Sequence, residues 1–256
     1  MNKITPIISH NGIYIKQDYK FRKDGLCGTR GRMAYAIMKR IYEANYSEVV
    51  FACNRDDIDL ALVAQASQVF GSFGCDIFTP TGAKTDLMNC MEICNPNVVY
   101  HQVANGYSNV LNARARDYAY GGDRAIIPMG MVCHAAVETV MHQCKIIPAD
   151  VKRIVVYDES GVIVAGIMAG LSFYGRSDID VTGITTKREP YGVVEKLIGV
   201  DLLDKPQVTF WFKREAQTKT NDLVDYNGIK LFQSDAHCVK HLAKGDMFWV
   251  CGNSIA

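Results

Sequence analysis

Short apolar runs alternate with segments of helical periodicity along most of this chain, and that alternation is what most limits its fold. Ile13-Tyr14-Ile15-Lys16 predicts a strand, and the loop Gln17–Gly28 follows it. Thr29 is placed to cap a helix running to about Asn45, with Met33, Ile37 and Ile41 on one face. Val49-Val50-Phe51 predicts a strand, and the next helix runs through Ile58, Leu62 and Val69. Cys75–Phe78 is a strand ended by Thr79-Pro80, followed by a helix near Lys84–Cys94 and a strand at Val98–Tyr100. A helix at Tyr107–Tyr120 leads to a strand in Arg124–Pro128, and Met131–Cys144 is helical. Asp180–Ile184 is a strand and Tyr191–Ile198 a short helix. Such a pattern predicts an α/β protein with a mostly parallel, doubly wound sheet and ligands at the strands' carboxyl ends. After Pro206 the texture changes. Gln207–Phe212 alternates polar and apolar residues, and with Gly228–Phe232 it reads as a small antiparallel excursion. A helix around Asp235–Leu242 and a strand at Met247–Cys251 return to the earlier pattern.

The stretch Arg153–Leu171 (RIVVYDESGVIVAGIMAGL) sits at the centre of this scheme. Ile154–Tyr157 has the apolar run of a strand buried on both faces. Asp158-Glu159-Ser160-Gly161 breaks it, and a helix with Ala165, Gly166, Ala169 and Gly170 follows, small enough to bring its backbone close to the sheet. A strand, a tight turn and a helix N-terminus together form an anion site, because the first turn's N–H groups lack intrahelical partners. The acidic residues in the turn have a plainer reading too: turn formation, or negative charge at the helix N-terminus where the macrodipole favours it.

Length and composition bound the function classes. A chain of 256 residues can bury a sizeable core in one large or two small domains. Hydrophobic residues make up 48% and charged residues 21%, and no apolar run is long enough to span a bilayer. The start MNKITPIISHNG lacks the apolar core of a signal peptide, and a net charge of +1 gives no global argument for nucleic acid or membrane. Nine scattered cysteines in a chain this large read as reduced thiols in the cytoplasm. Cys90 with Cys94, and Cys238 with His241, have ligand-like spacing, but neither pair has a matching second pair, so no metal site is expected.

Several loops, taken in order, resemble the fold-type-II pyridoxal-phosphate enzymes, which include the tryptophan synthase β chain, the serine and threonine dehydratases, and the aminocyclopropane-carboxylate deaminase and D-cysteine desulfhydrase group. Ile15-Lys16-Gln17-Asp18 resembles the family's opening K-R-E-D strand. Gly28-Thr29-Arg30-Gly31 stands where the family has its Lys-(Asp/Thr)-Arg helix start. Phe51-Ala52-Cys53-Asn54 is similar to the S-S-G-N loop, whose Asn bonds the cofactor's phenolic oxygen, and Ala125–Gly130 resembles an I-P-x-G segment. Ser160-Gly161 with Ala165-Gly166 resembles the phosphate loop and its helix, and Cys251-Gly252-Asn253 the loop that sets a Ser or Cys against the pyridine nitrogen.

The resemblance implies pyridoxal phosphate as cofactor, held by Asn54, Ser160, Gly161 and Cys251. It implies lyase, deaminase or β-replacement chemistry on a small amino-acid-like substrate, with a homodimer as the expected assembly and an abbreviated second lobe after Ile184. It divides the chain into a larger lobe of residues 1–45 and 125–256 and a smaller one of 46–124. One departure weighs against it: the family's Schiff-base lysine aligns with Gly28, which has no side chain. Lys23 and Lys16 are the replacements within reach, so Lys23 and Arg30 are the candidate catalytic residues. Asp158 and Glu159 also stand where a phosphate would be repelled.

Two other readings remain open. An apolar strand followed by two acidic residues and a small-residue turn also resembles the phosphoribosyltransferase diphosphate-sugar loop, though the turn lacks that loop's threonines. The basic residues Lys16, Lys20, Arg22, Lys23, Arg30 and Arg32, interleaved with Tyr14, Tyr19 and Phe21, could instead grip a phosphate-bearing ligand such as a nucleotide or nucleic acid.

Overall fold

The computed structural model describes residues 3–71, 73–104, 106–186, 189–199, 208–212, 224–226, 229–231 and 233–252. In chain order, β1 (Ile7–His10), β2 (Ile13–Gln17), β3 (Arg22–Lys23) and β4 (Leu26–Cys27) precede α1 (Gly28–Glu43). Then come β5 (Glu48–Ala52), α2 (Ile58–Val69), β6 (Gly74–Pro80), α3 (Asp86–Cys94), β7 (Val98–Val103), α4 (Ser108–Ala119) and β8 (Arg124–Ile127). Next are α5 (His134–Met141), β9 (Arg153–Tyr157), α6 (Val162–Phe173), β10 (Asp180–Thr185), α7 (Tyr191–Ile198) and β11 (Val208–Phe212). The hairpin β12 (Val224–Tyr226) and β13 (Ile229–Leu231), the turn of helix α8 (Gln233–Ala236) and β14 (Asp246–Val250) complete the order. No helix among the described residues is long and apolar enough to cross a membrane.

The chain forms two compact units, one of Met1–Phe21 with Val132–Asn253, the other chiefly Arg22–Met131. Residues 22–45 and 125–131, expected with the larger lobe, fall in this second unit. The reason is local: α1 packs on α2, with Tyr35 and Phe70 rings 5.0 Å apart and Arg30 paired to Asp59 at 3.0 Å.

The first unit is built on a six-stranded sheet, β1-β2-β14-β9-β10-β11, parallel except for β1. Ile154, Val155 and Val156 of β9 are fully buried, as a central strand covered on both faces requires. Val155, Ile15, Phe248 and Val250 turn to one face and pack with Leu231 and Cys238. Cys238 is thus a core residue. Alternate residues Lys16 and Trp249 face the other side, where Lys16 Nζ reaches Gln143 Oε1 at 3.2 Å.

Three expectations are corrected in these elements. Cys27, not Thr29, is the N-cap of α1, and Thr29 is buried inside the helix. β11 (Val208–Phe212) joins β10 in parallel register rather than forming an antiparallel excursion, while β12 and β13 do pair antiparallel. Gly166 and Gly170 of α6 face α5 rather than the sheet: a Cβ on Gly166 would lie 2.5 Å from Val140 Cβ, and one on Gly170 2.6 Å from Cys144 Sγ. Gln207, Gly228, Phe232 and Asn253 lie outside the described residues.

The second unit has a four-stranded parallel sheet, β7-β6-β5-β8, with α1 to α4 around it. Met33, Ile37 and Ile41 form the buried face of α1, as their spacing predicts. Asp57 caps α2, accepting from Asp59 N at 3.1 Å.

Candidate functional site

In each sheet the strand order reverses once, and ligands bind open α/β sheets outside the carboxyl ends at such a point. In the first unit the chain runs from β9 to β10 to β11 on one side, then returns to β14 on the other. The switch lies between β9 and β14, so Tyr157–Gly161 and Cys251-Gly252 emerge side by side. Ser160, Gly161 and Cys251 are therefore brought to one edge. In the second unit the switch lies between β5 and β8. Asn54, exposed, leaves β5 there, and Arg30 Nη1 donates to Gly130 O at 2.9 Å.

The turn after β9 is organised by Asp158, which is 1% exposed. Its Oδ1 accepts from Ser160 N at 3.0 Å, Gly161 N at 2.9 Å and Ser160 Oγ at 3.1 Å. Its Oδ2 accepts from Ile163 N at 2.8 Å and Val164 N at 2.9 Å. Gly161 takes φ +79°, a left-handed conformation, and a Cβ there would meet Pro190 and Val194 at 3.0 Å. The amides expected to grip a phosphate thus already hold a carboxylate, the N-terminal charge of the plainer reading.

Glu159 turns the other way. Its Oε1 accepts from Tyr157 OH and from Thr186 Oγ1, both at 2.5 Å. Burial, and then the bond to Glu159, push the Tyr157 phenol well above its ordinary value, so it stays protonated and donating. The His237 ring lies 5.9 Å from that of Tyr157. At β14, Cys251 N and Gly252 N donate to the two oxygens of Asp235 at 3.1 and 2.9 Å. The Cys251 thiol is buried, 3.9 Å from Tyr157 O and 4.0 Å from Trp249 O. Gly252 leaves no room for a side chain, since a Cβ would lie 2.1 Å from Tyr19 Cβ. One strand further, Gln17 Nε2 donates to Tyr19 OH at 2.9 Å, while its buried Oε1 has no donor among the described residues.

Tyr157, Thr186, Gln17 and Asp235 were not singled out by sequence reasoning. Asp235 lies in LFQSDAHC, a stretch of mixed polarity that carried no signal marking it. Burial raises its carboxyl from the ordinary 3.8 to about 6, overcoming the two backbone N–H bonds that favour the ion. With the folded pKa above the unfolded one, the folded state holds more protons between pH 4 and 6, so stability falls as pH rises through that window. At 1.36 kcal/mol per pKa unit the loss is about 3 kcal/mol. Urea midpoints of the wild type should drop from pH 4 to 6.5 by more than those of Asp235→Asn; parallel curves would refute the assignment.

The candidate lysines are placed as follows. Gly28 is buried at the start of α1 with φ +69°, a conformation that strains any L side chain. Lys23 is half-buried, with Nζ 4.4 Å from the centre of the Tyr35 ring. Lys16 is fully buried, its Nζ donating to Thr5 O at 2.6 Å and Gln143 Oε1 at 3.2 Å. Arg30 Nη1 donates to Asp59 Oδ2 at 3.0 Å and to Gly130 O at 2.9 Å. Pyridoxal phosphate held by a lysine at position 28 and by the α6 amides does not fit these residues: position 28 is a glycine, at a φ that an L side chain rarely adopts, and those amides donate to Asp158.

No protein-family model and no curated protein matches the sequence. Solved structures do match. A crystal structure of an ACC deaminase homologue superposes with a TM-score of 0.70 at 15% identity, covering 94% of this chain and 84% of that one. The O-acetylserine-dependent cystathionine beta-synthase from Helicobacter pylori gives 0.67 at 12% identity, covering 96% and 90%. The processed form of threonine deaminase isoform 2 from Solanum lycopersicum gives 0.61 at 14%, covering 95% and 75%. The fold is that of the fold-type-II pyridoxal-phosphate enzymes.

Proposed function

We propose that this chain keeps the fold-type-II architecture without its lysine-bound cofactor, and that the carboxyl edge between β9 and β14 binds a small, amino-acid-like ligand carrying no phosphate. The observation that carries the reading is Gly28: the helix start is kept, the nucleophile is absent, and φ +69° resists any side chain in its place. Arg30 cannot replace it, because a guanidinium stays protonated and forms no stable imine.

The ligand class follows from which groups at the edge seek partners. Gln17 Oε1 is a buried acceptor with no donor among the described residues, and Glu159 is an acceptor held in place by Tyr157 and Thr186. Such an edge suits a ligand rich in donors, an ammonium or hydroxyl group, since an orphaned buried acceptor costs about 1–3 kcal/mol until satisfied. Phosphate is disfavoured by the carboxylates of Asp158 and Glu159 beside the same turn.

Borohydride reduction of protein incubated with pyridoxal phosphate, followed by peptide mass mapping, tests the reading. No pyridoxyl adduct, and no aldimine band beyond the absorbance of the free cofactor, are expected. An adduct on Lys23 would restore lysine-based lyase, deaminase or β-replacement chemistry and overturn the proposal.

A further inference from the structure

We propose that Cys90 and Cys94 of α3 form a binding site for a soft, two-coordinate cation of the copper(I) class. The two residues stand four apart in the helix, so they share one face, and both are exposed. The Cys94 thiol is held above its ordinary value by desolvation and by Cys90, to which it is hydrogen-bonded, so the two sulfurs are neighbours. The other seven cysteines are buried or, for Cys133, half-buried, which leaves this pair as the thiols open to a metal from solvent.

Geometry decides between the two things that paired thiols do. Cβ atoms four apart on a helix lie about 5–6 Å from each other, whereas a disulfide needs about 3.5–4.5 Å. Closing that gap would require the end of α3 to unwind, and that end is pinned. Asn95, 1% exposed, donates from its backbone N to Met91 O at 2.7 Å. Its Nδ2 donates to Ala64 O and Ser67 Oγ, both at 2.9 Å, and its Oδ1 accepts from Asn97 N at 3.0 Å. A linear bridge with metal–sulfur bonds near the roughly 2.3 Å of zinc thiolates spans about 4.6 Å between sulfurs and needs no unwinding. Among the described residues no group of three or more His, Cys, Asp or Glu side chains could hold a metal, so the pair falls short of the four ligands of a tetrahedral ion. Glu92 of the same helix is engaged by Lys84. Two sulfurs suit an ion that two ligands satisfy. Binding forms two metal–sulfur bonds and releases the two thiol protons to water, with no change of oxidation state. The site is independent of Gly28's missing side chain and of the β9–β14 edge, because it is built from α3 alone.

The reduced full chain is titrated anaerobically with copper(I) in competition with bathocuproine disulfonate, whose colour reports the ion it keeps. One ion per chain is expected, with two sulfur neighbours by X-ray absorption and no change in oligomeric state. Cys90→Ser and Cys94→Ser should each weaken binding at least a hundredfold, whereas Cys133→Ser should leave it unchanged. A double variant, Cys90→Ser with Asn89→Cys, keeps the thiol count but sets the pair five apart, about 140° around the helix. It should bind no better than Cys90→Ser. Wild-type protein alkylated at Cys90 and Cys94, checked by peptide mass mapping, serves in place of any variant that does not fold. Wild-type affinity in either serine variant, restored affinity in the five-apart pair, or one ion shared between two chains overturns the proposal. So does a wild type that takes no copper(I) from the chelator.

Discussion

Gln143→Leu should lower the unfolding free energy by about 3–5 kcal/mol, measured by urea denaturation. Leucine nearly matches the glutamine in volume, so packing changes little, and the loss reports the polar groups it abandons. Gln143 is fully buried, and its Oε1 accepts from Thr5 N at 3.0 Å and from Lys16 Nζ at 3.2 Å. A hydrogen bond to a charged group contributes about 1.5–3 kcal/mol, and an orphaned buried amide costs a further 1–3 kcal/mol. Lys16 would keep Thr5 O at 2.6 Å, which limits the damage. Lys16→Met removes the charge together with its need for partners and keeps an apolar stem beside Trp249, so its cost should be smaller, about 1–2 kcal/mol. A larger loss for Lys16→Met than for Gln143→Leu would show that the ammonium is a net source of stability. The same geometry commits the Lys16 ammonium to Thr5 O and Gln143 Oε1 in the core.

The central βα unit was legible in the sequence because Ile154–Val156 is apolar without interruption, which only a strand covered on both faces tolerates. The direction of β11 was not. Val208 and Phe210 are buried while Trp211 is exposed, and that alternation belongs to any sheet edge, parallel or antiparallel. Asp158 shows the limit at the site itself. An acidic residue at a strand's end can face a ligand or fold back onto the helix amides, and composition does not distinguish these. The spacing held a clue: Asp158 precedes Ser160 and Gly161 by two and three residues, the separation at which a short side-chain carboxylate meets its own backbone N–H groups. The glycine at position 28 was legible, but its left-handed backbone was visible only in three dimensions.

Replacing both Gly166 and Gly170 with alanine should destabilise the protein by roughly 4 kcal/mol, although alanine is the better helix former. Propensity alone would favour alanine by about 1 kcal/mol per site. Sterics oppose it more strongly. A Cβ at Gly166 would lie 2.5 Å from Val140 Cβ and 3.0 Å from Val137 O, and one at Gly170 2.6 Å from Cys144 Sγ and 2.8 Å from Met141 O. Two of these atoms are backbone carbonyls, which no rotamer change can move, so α5 and the turn after it must shift as a body. Overpacking of this kind costs about 1–3 kcal/mol per site, and the two sites, one helical turn apart, share the same displacement and will not add independently. Gly192 in α7 supplies the control, because a Cβ there meets nothing within 4 Å. Gly192→Ala should be neutral or stabilising by up to about 1 kcal/mol. Because α6 carries the amides that hold Asp158, the double variant should also slow hydrogen exchange less at Ile163 and Val164 than the wild type does. Unchanged stability with unchanged exchange at those two amides would mean that α5 and α6 tolerate separation, and that close packing does not fix the N-terminus of α6.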